Sequence, residues 1–295
     1  MNDATVSLGK ADRHRSQWGL AWTQLQRDKP ALIGLGLILT VVFLGVFGSW
    51  LAPYDATEQN LVLRRSPPSL RHPMGLDEFG RDIMSRVLVG ARYTVGASLV
   101  AVAIGLTAGV SLGLICGFYA GLADIVLMRL VDTLLAFPVL LLAIVIVGAL
   151  GPGLTNAVVA VGIAAIPTYV RVVRATTFAL KENEYVLAAR AVGVRSGRTL
   201  VRHIFPNALA PIIVITTVGI AQAMLATAAL SFLGLGAQPP TPEWGAMLSQ
   251  GRAYLFDAPH ISVFPGLAIV FAMLGFNLLG DGLRDAIDPR MRTEA

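Results

Sequence analysis

The feature that most constrains this chain is a set of five long stretches without a single charged residue. They cover residues 31–54, 93–123, 133–170, 204–242 and 261–280. About 20 apolar residues suffice for an α-helix to cross the hydrocarbon core of a bilayer. The whole chain is 55% hydrophobic and 14% charged, whereas soluble domains carry about 25% charged residues. We therefore expect an all-α, polytopic membrane protein.

Turn signals divide these stretches into six predicted transmembrane helices. Gly151-Pro152-Gly153 breaks the third stretch into a hairpin of two helices, and the fourth fades into a loop rich in glycine and proline. The first helix follows a polar lead of about 30 residues, which does not fit a cleaved signal peptide. The predicted spans lie at about 31–52, 94–118, 127–150, 154–171, 208–231 and 262–282.

The distribution of Lys and Arg predicts the orientation, since cytoplasmic loops are enriched in both. Basic residues are concentrated near the N-terminus, between 171 and 203, and in the tail. Cytoplasmic Lys and Arg therefore account for the net charge of +5, which need not indicate binding to nucleic acid. The expected order is a cytoplasmic segment 1–30, a first helix 31–52, an external segment 53–93, a five-helix region 94–282 with a cytoplasmic loop 172–207, and a cytoplasmic tail 283–295.

The external segment fits this orientation badly, because it is rich in arginine. Either it folds as a cap outside the membrane, or the first span is misassigned. We favour the cap, because the other basic clusters agree with one another. The arginines are Arg64, Arg65, Arg71, Arg81, Arg86 and Arg92.

The sequence offers no catalytic residue and no metal site. Gly109-Val-Ser111-Leu-Gly113 matches a hydrolase pattern that needs a strand-to-helix turn and a general base, but here it falls inside a span, and all four histidines lie outside the spans or at their ends. The phosphate-binding pattern Gly-x-x-x-x-Gly-Lys-Ser/Thr is missing, as are clusters of His and Cys that could bind zinc. Cys116 is the single cysteine, so no internal disulfide can form. We expect a transport subunit rather than an enzyme.

Small residues recur at every fourth position of the second predicted span, from Ala97 to Gly121. This spacing stacks them on one helix face, where a neighbouring helix can approach closely. The residues expected to pack are Gly105, Gly109, Gly113 and Gly117.

Polar side chains inside the spans are candidates for a substrate path, although each could equally be a packing contact. Arg129 and Asp132, three residues apart near the start of the third span, are expected to pair with each other. The candidates for the path are Ser111, Asn156, Thr217, Gln222 and Asn277.

The segment between the fourth and fifth spans is basic and helix-prone. Residues 184–192 are predicted to form a short helix, Gly193 permits a sharp change of direction, and Pro206 is expected to end a second helix. The apolar run 185–189 needs a partner to cover it, although a basic face near anionic lipid is the alternative. Three arginines share one face of the second helix: Arg195, Arg198 and Arg202.

This segment resembles the EAA loop of bacterial ABC importer permeases, in which a coupling helix docks into a cleft on the ATPase. Nearly everything after residue 30 resembles the DppC/OppC-like permeases of dipeptide and oligopeptide importers. The glutamate that names the EAA motif is Leu187 here, and Glu184, one turn earlier, could supply the carboxylate. The resemblance is carried by His72-Pro-Met-Gly-Leu-Asp-Glu-Phe-Gly-Arg-Asp-Ile-Met-Ser-Arg86, by 230–247 and by 276–290.

The resemblance implies a type I importer permease, with one N-terminal helix and a core made of spans two to six. It also implies a second homologous permease subunit, two cytoplasmic ATPases that hold ATP and Mg²⁺, an external peptide-binding protein, and a bacterial inner membrane with both termini cytoplasmic. Dipeptides or short peptides are the expected substrates, with glutathione and nickel chelates as alternatives. An ion-gradient-driven secondary carrier is the alternative of another class. The residues expected to contact the ATPase are Glu184, Tyr185, Ala188, Ala189, Gly193, Arg195, Arg198 and Arg202.

Overall fold

The computed structural model describes residue 19 and residues 23–287. Within these residues the protein is helical, which confirms the predicted all-α class, apart from an isolated β-bridge between Leu76 and Asp82. The helices are α1 (Lys29–Leu51), α2 (Ile83–Tyr119), α3 (Leu122–Leu135), α4 (Val139–Leu150), α5 (Leu154–Leu180), α6 (Glu184–Ala191), α7 (Ser196–Phe232), α8 (Trp244–Gly251) and α9 (His260–Ile287).

Five helices are long and apolar enough to span a membrane: α1, α2, α5, α7 and α9. Three of them extend well beyond the predicted spans. α2 begins at Ile83 rather than 94, α5 continues to Leu180 rather than 171, and α7 begins at Ser196 rather than 208. The predicted spans were drawn from the uncharged stretches, which mark only the part of each helix that is apolar enough for the bilayer. Charged and capped turns continue the helices further, as where the Asp82 carboxylate accepts from Ser85 N–H (2.8 Å) at the start of α2.

The third predicted span, 127–150, is not one helix. It is a bent pair in which α3 and α4 meet at 96°. Pro138 precedes α4 and has no N–H to continue the hydrogen bonds of α3. At about 1.5 Å per residue, the 12 residues of α4 extend only about 18 Å, less than the roughly 30 Å of a hydrocarbon core. Six spans result only if the pair crosses as a unit.

The helices alternate in direction, so the bundle has two distinct ends. One end, here called the loop end, carries the starts of α1 and α7, the ends of α2, α5 and α9, and the whole of α6. The other end, here called the cap end, carries α8 and residues 52–82. Large apolar side chains such as Val46 (65% exposed), Trp50 (83%) and Val145 (69%) lie on the outer surface of α1 and α4, as expected for helices in lipid.

At the cap end, residues 52–82 fold around buried ion pairs. The Arg81 guanidinium contacts Asp77 (2.6 Å) and Glu78 (3.3 Å), and also donates to the Gln250 side chain on α8 (3.1 Å). Arg86 donates to the carbonyl oxygen of Ala56 (3.1 Å). Two arginines of this segment, Arg81 and Arg86, are therefore buried beside carboxylates, whereas Arg64, Arg71 and Arg92 are exposed. That the segment forms a cap outside the membrane stays a prediction.

α7 corrects another expectation, because Pro206 does not end a helix. The helix runs from Ser196 through a π-helical turn at Leu200–Ile204 and continues from Phe205 to Phe232. In that turn the Phe205 N–H donates to the carbonyl oxygen of Leu200, five residues back. The wider turn accommodates a proline that would disrupt regular α-helical bonding.

Candidate functional site

The site begins with α6, a two-turn helix at the loop end. It ends at Ala191, one residue before the predicted end, and Val192 forms its C-cap. Val186 is fully buried and packs in one cluster with Phe118 near the end of α2 and Ile204 at the start of α7. The Arg190 guanidinium lies 4.9 Å from the centre of the Phe118 ring. α6 is therefore mounted directly on two of the long helices.

The opposite face of α6 is apolar and uncovered. Tyr185 is 42% exposed, Leu187 46% and Val192 79%, with Ala188 exposed among them. Ala189 faces inward and is buried, so of the paired alanines only Ala188 is available to a partner. Glu184 is exposed and lies three residues before Leu187, on a neighbouring part of the helix surface.

Gly193 makes the turn that follows α6. Its φ of +82° lies in the left-handed region, which side chains other than glycine rarely adopt. The Val194 N–H then donates to the carbonyl oxygen of Ala189 (3.0 Å), which fixes the exit from the helix. Beyond the turn, Arg195, Arg198 and Arg202 are all exposed, so the basic surface lies next to the apolar one.

Four glycines of α2 set how closely it approaches α5. A Cβ placed on Gly113 would lie 2.8 Å from the Cβ of Val173, and one on Gly117 would lie 2.6 Å from the Cβ of Thr177. Gly105 and Gly109 face α5 in the same way, against Ala165 and Tyr169. Gly121 does not belong to this row: it lies at the start of α3 with nothing within 4 Å.

Ion pairs tie α3 to α5 near the loop end. Arg174 binds Asp124 through two hydrogen bonds of 2.6 Å, and Arg171 binds Asp132. The expected pair between Arg129 and Asp132 is therefore wrong. The geometry explains the error, because α3 packs against α5, and an arginine from a facing helix reaches Asp132 better than its own neighbour does.

A cavity of about 580 Å³ lies between α5, α7 and α9, toward the loop end. Its walls are mainly apolar and include Val214 and Ile215, while Asp281 and Arg284 on α9 contribute charge. A smaller pocket of about 60 Å³ adjoins it and shares Thr168, Ile215 and Gln222.

Of the five residues predicted to line a substrate path, only one borders either of these two cavities, and the path itself stays a prediction. Gln222 lines both cavities. Ser111 is exposed on α2 and donates to the Thr107 carbonyl (2.7 Å), whereas Thr217 is buried and donates to the Ile213 carbonyl (2.9 Å). Asn156 donates to the carbonyls of Leu150 and Gly151 (both 3.0 Å) and so holds the turn between α4 and α5. Asn277 is half-buried on α9 and lines neither cavity.

Sequence reasoning missed Thr168, Asp281 and Arg284 as cavity residues. Asp281 and Arg284 were grouped with the end of the last span and the tail, where charged residues are ordinary. A signal was available in their spacing, since two opposite charges three residues apart occupy one face at the end of an apolar helix.

Comparisons with known proteins identify the family. Residues 109–293 match the family described as the binding-protein-dependent transport system inner membrane component. Residues 16–68 match the N-terminal TM domain of oligopeptide transport permease C. The chain belongs to the ABC importer permeases of the dipeptide and oligopeptide family. The predicted family and the predicted role as a transport permease are both confirmed.

The relatives of this permease cover nearly its whole length. The dipeptide transport system permease protein DppC of Alkalihalophilus pseudofirmus is 45% identical over 278 residues, which cover 94% of this chain and 91% of the relative. The glutathione transport system permease protein GsiD of Escherichia coli is 45% identical over 291 residues, which cover 97% and 95%. This permease is therefore a multi-pass membrane protein and a non-enzymatic transport subunit.

A solved structure supports the same fold. The methionine ABC transporter MetNI, in an inward-facing conformation, aligns with a TM-score of 0.56 over 70% of this chain and 98% of that chain, at 18% identity.

Proposed function

We propose that this permease imports dipeptides or other short peptides as one of two homologous permease subunits. The substrate class is supported by two relatives at 45% identity, one named for dipeptides and the other for glutathione, which is itself a short peptide. The complex also contains an external peptide-binding protein and two cytoplasmic ATPases that hold ATP and Mg²⁺. This chain supplies half of the translocation path and no cofactor.

The observation that carries the proposal is the two-faced packing of α6. One face is anchored on α2 and α7 through Val186, while Tyr185, Leu187 and Val192 on the other remain uncovered. An exposed apolar patch of this kind marks a binding surface. The adjoining arginines Arg195, Arg198 and Arg202 fit an acidic rim on the ATPase.

The same packing supports a route by which movement of the ATPases is transmitted to the helix bundle. A displacement of α6 acts on Phe118 and Ile204, because Val186 lies in one buried cluster with both. Close-packed interiors transmit displacement rather than absorb it. ATP-driven movement of the ATPases therefore shifts the loop ends of α2 and α7, which changes access to the cavity beside α7.

From this proposed function we infer the orientation in the inner membrane. The loop end faces the cytoplasm, together with residues 1–30 and the tail 283–295, most of which lie outside the described residues. Segment 53–93, whose folded part is the cap, faces outward. The core 94–282 contains the coupling loop 172–207, whose ends are parts of α5 and α7, so the loop proper is short. Leu187 stands where the EAA motif has its glutamate, and Glu184 supplies the carboxylate instead.

The test is the variant Val192→Arg with Val62→Arg as a matched control. Val192 is 79% exposed at the loop end and Val62 is 91% exposed at the cap end, so neither change should disturb folding. A guanidinium buried without a partner in an apolar interface is costly. Val192→Arg should lower co-purification of the ATPases at least tenfold and abolish ATP-driven uptake, with normal amounts of inserted permease.

Two outcomes would reject the proposal. Equal recovery of the ATPases with the two variants would show that α6 does not contact them. Peptide uptake into proteoliposomes driven by a proton gradient without ATP would instead support a secondary carrier.

A further inference from the structure

The cavity between α5, α7 and α9 contains two opposite charges that have no ion-pair partner among the described residues. Asp281 and Arg284 both line it, both are exposed, and neither takes part in a salt bridge. They are three residues apart on α9, a spacing that separates their Cβ atoms by about 5–6 Å. An ion pair between them would satisfy both, so their separation leaves two charges of opposite sign open to a ligand.

The inner end of the cavity supplies neutral hydrogen-bonding groups. Gln222 and Thr168 lie where the cavity joins the smaller pocket. Tyr169 also lines that pocket, and its hydroxyl is buried and has no hydrogen-bond partner among the described residues. A buried hydroxyl without a partner is unfavourable, so it favours any state in which a polar group or water enters.

Between these two ends the wall is apolar, formed by residues such as Pro211, Val214 and Val218. Its volume of about 580 Å³ falls within the usual range of about 300–1,000 Å³ for small-molecule sites. A ligand that fits this arrangement holds a positive and a negative terminus at the charged end and extends side chains of variable polarity along the apolar wall toward the inner end.

We propose that this cavity is a transit site for short peptides that recognises their zwitterionic backbone, an inference that rests on the proposed function. Asp281 binds the terminal ammonium group and Arg284 binds the terminal carboxylate, while Gln222, at the inner end, hydrogen-bonds polar groups of the side chains that enter there. The termini of an extended dipeptide lie up to about 7 Å apart, and two flexible side chains whose Cβ atoms are about 5–6 Å apart can reach both of them. Because the apolar wall makes no directional contacts, the site accepts many side chains and selects for free termini.

The experiment uses the whole complex in nanodiscs, without nucleotide and without the external binding protein. The probe is radiolabelled alanyl-alanine, compared with its N-acetyl and C-amide derivatives at concentrations up to about 10 mM. The wild-type complex should prefer the free dipeptide over either derivative by about fivefold to tenfold, as expected for partly exposed charged contacts. Asp281→Asn should remove the preference over the N-acetyl form, and Arg284→Gln the preference over the C-amide form.

Asp285→Asn is the matched control, since Asp285 is an exposed carboxylate on the same helix that does not line the cavity. Asp285→Asn should behave as wild type. Asp281→Glu, which retains a carboxylate, should keep the preference for a free amino terminus that Asp281→Asn loses. Absence of saturable binding to the wild-type complex, or equal effects of Asp281→Asn and Asp285→Asn, would overturn the inference. ATP-driven peptide uptake by the same complex in proteoliposomes, with the external binding protein added, reports separately on the proposed function, which fails only if uptake is absent.

Discussion

The contact between α2 and α5 gives the sharpest test of the fold, through the substitution Gly113→Ala. The added Cβ would lie 2.8 Å from the Cβ of Val173 and 2.9 Å from the carbonyl oxygen of Val170. Carbon atoms in contact prefer about 3.5–4.0 Å, so the helices would have to separate by about 1 Å. Overpacking of this kind costs about 1–3 kcal/mol, and the contacts on either side, at Gly109 and Gly117, would loosen with it.

A second glycine of α2 provides the control. Gly96 has nothing within 4 Å of an added Cβ, so Gly96→Ala should be neutral or stabilising by up to about 1 kcal/mol through helix propensity. The same chemical change is thus predicted to have opposite effects at two positions of one helix.

Thermal unfolding of the purified complex in detergent measures the difference. A destabilisation of about 2 kcal/mol corresponds to a Tm lower by roughly 4 °C in a chain of this size. Gly113→Ala should therefore unfold several degrees below Gly96→Ala, with the substrate preference of the surviving complex unchanged. Equal Tm values for the two variants would show that close approach at Gly113 does not hold α2 and α5 together.

Two further predictions concern the turn after α6 and the cap. Gly193→Val forces a β-branched residue into a φ of +82° at a cost of about 1–3 kcal/mol, and it should abolish uptake while insertion stays normal. Gly197→Val, at a position with open space and no positive φ, should keep uptake, and similar losses in both would remove the role given to the turn. In the cap, burial, and secondarily the neighbouring Asp77, raise the pKa of Glu78 above its ordinary value. The folded state then binds that proton more tightly than the unfolded state, so stability falls as pH rises from the ordinary pKa of Glu78 through the raised one. Glu78→Gln should flatten this decline in Tm, and an unchanged pH profile would contradict the assignment.

The helical class and the general arrangement of spans could be predicted from the sequence because lipid imposes simple rules on length and charge. The errors occurred where local chemistry overrides those rules. Leu135-Ala-Phe-Pro138 lies within an uninterrupted apolar stretch, and nothing in a hydropathy window distinguishes one straight span from α3 and α4 meeting at 96°. The proline was the available signal.

Pairing partners were harder to predict than elements. Asp132 was assigned to Arg129 because only sequence neighbours can be compared in a single chain, whereas its partner, Arg171, belongs to α5. The cavity residues Asp281 and Arg284 were missed for a similar reason. A cavity forms where particular helices meet, and a single sequence does not indicate that α9 faces α5 and α7. Gln222 was included because an amide inside a long apolar helix stands out, and it alone among the five candidates lines the cavity.

The position of α6, in the proposed coupling loop, connects that loop to the proposed transit site through α7. α7 packs beside α6 at Ile204 and, within three turns of that residue, contributes Pro211 and Val214 to the cavity wall. Movement of α6 therefore reaches the wall through a short, continuous helical path, in which the π-helical turn at Leu200–Ile204 is the least regular element. At the other end, Trp244 Nε1 donates to the carbonyl oxygen of Val87 (3.0 Å), and the Trp244 N–H donates to Thr94 Oγ1 (3.1 Å), which fixes α8 to α2. A bundle held at the cap end and pushed at the loop end opens and closes first where the cavity lies, so coupling by α6 requires the cavity to be on the cytoplasmic side.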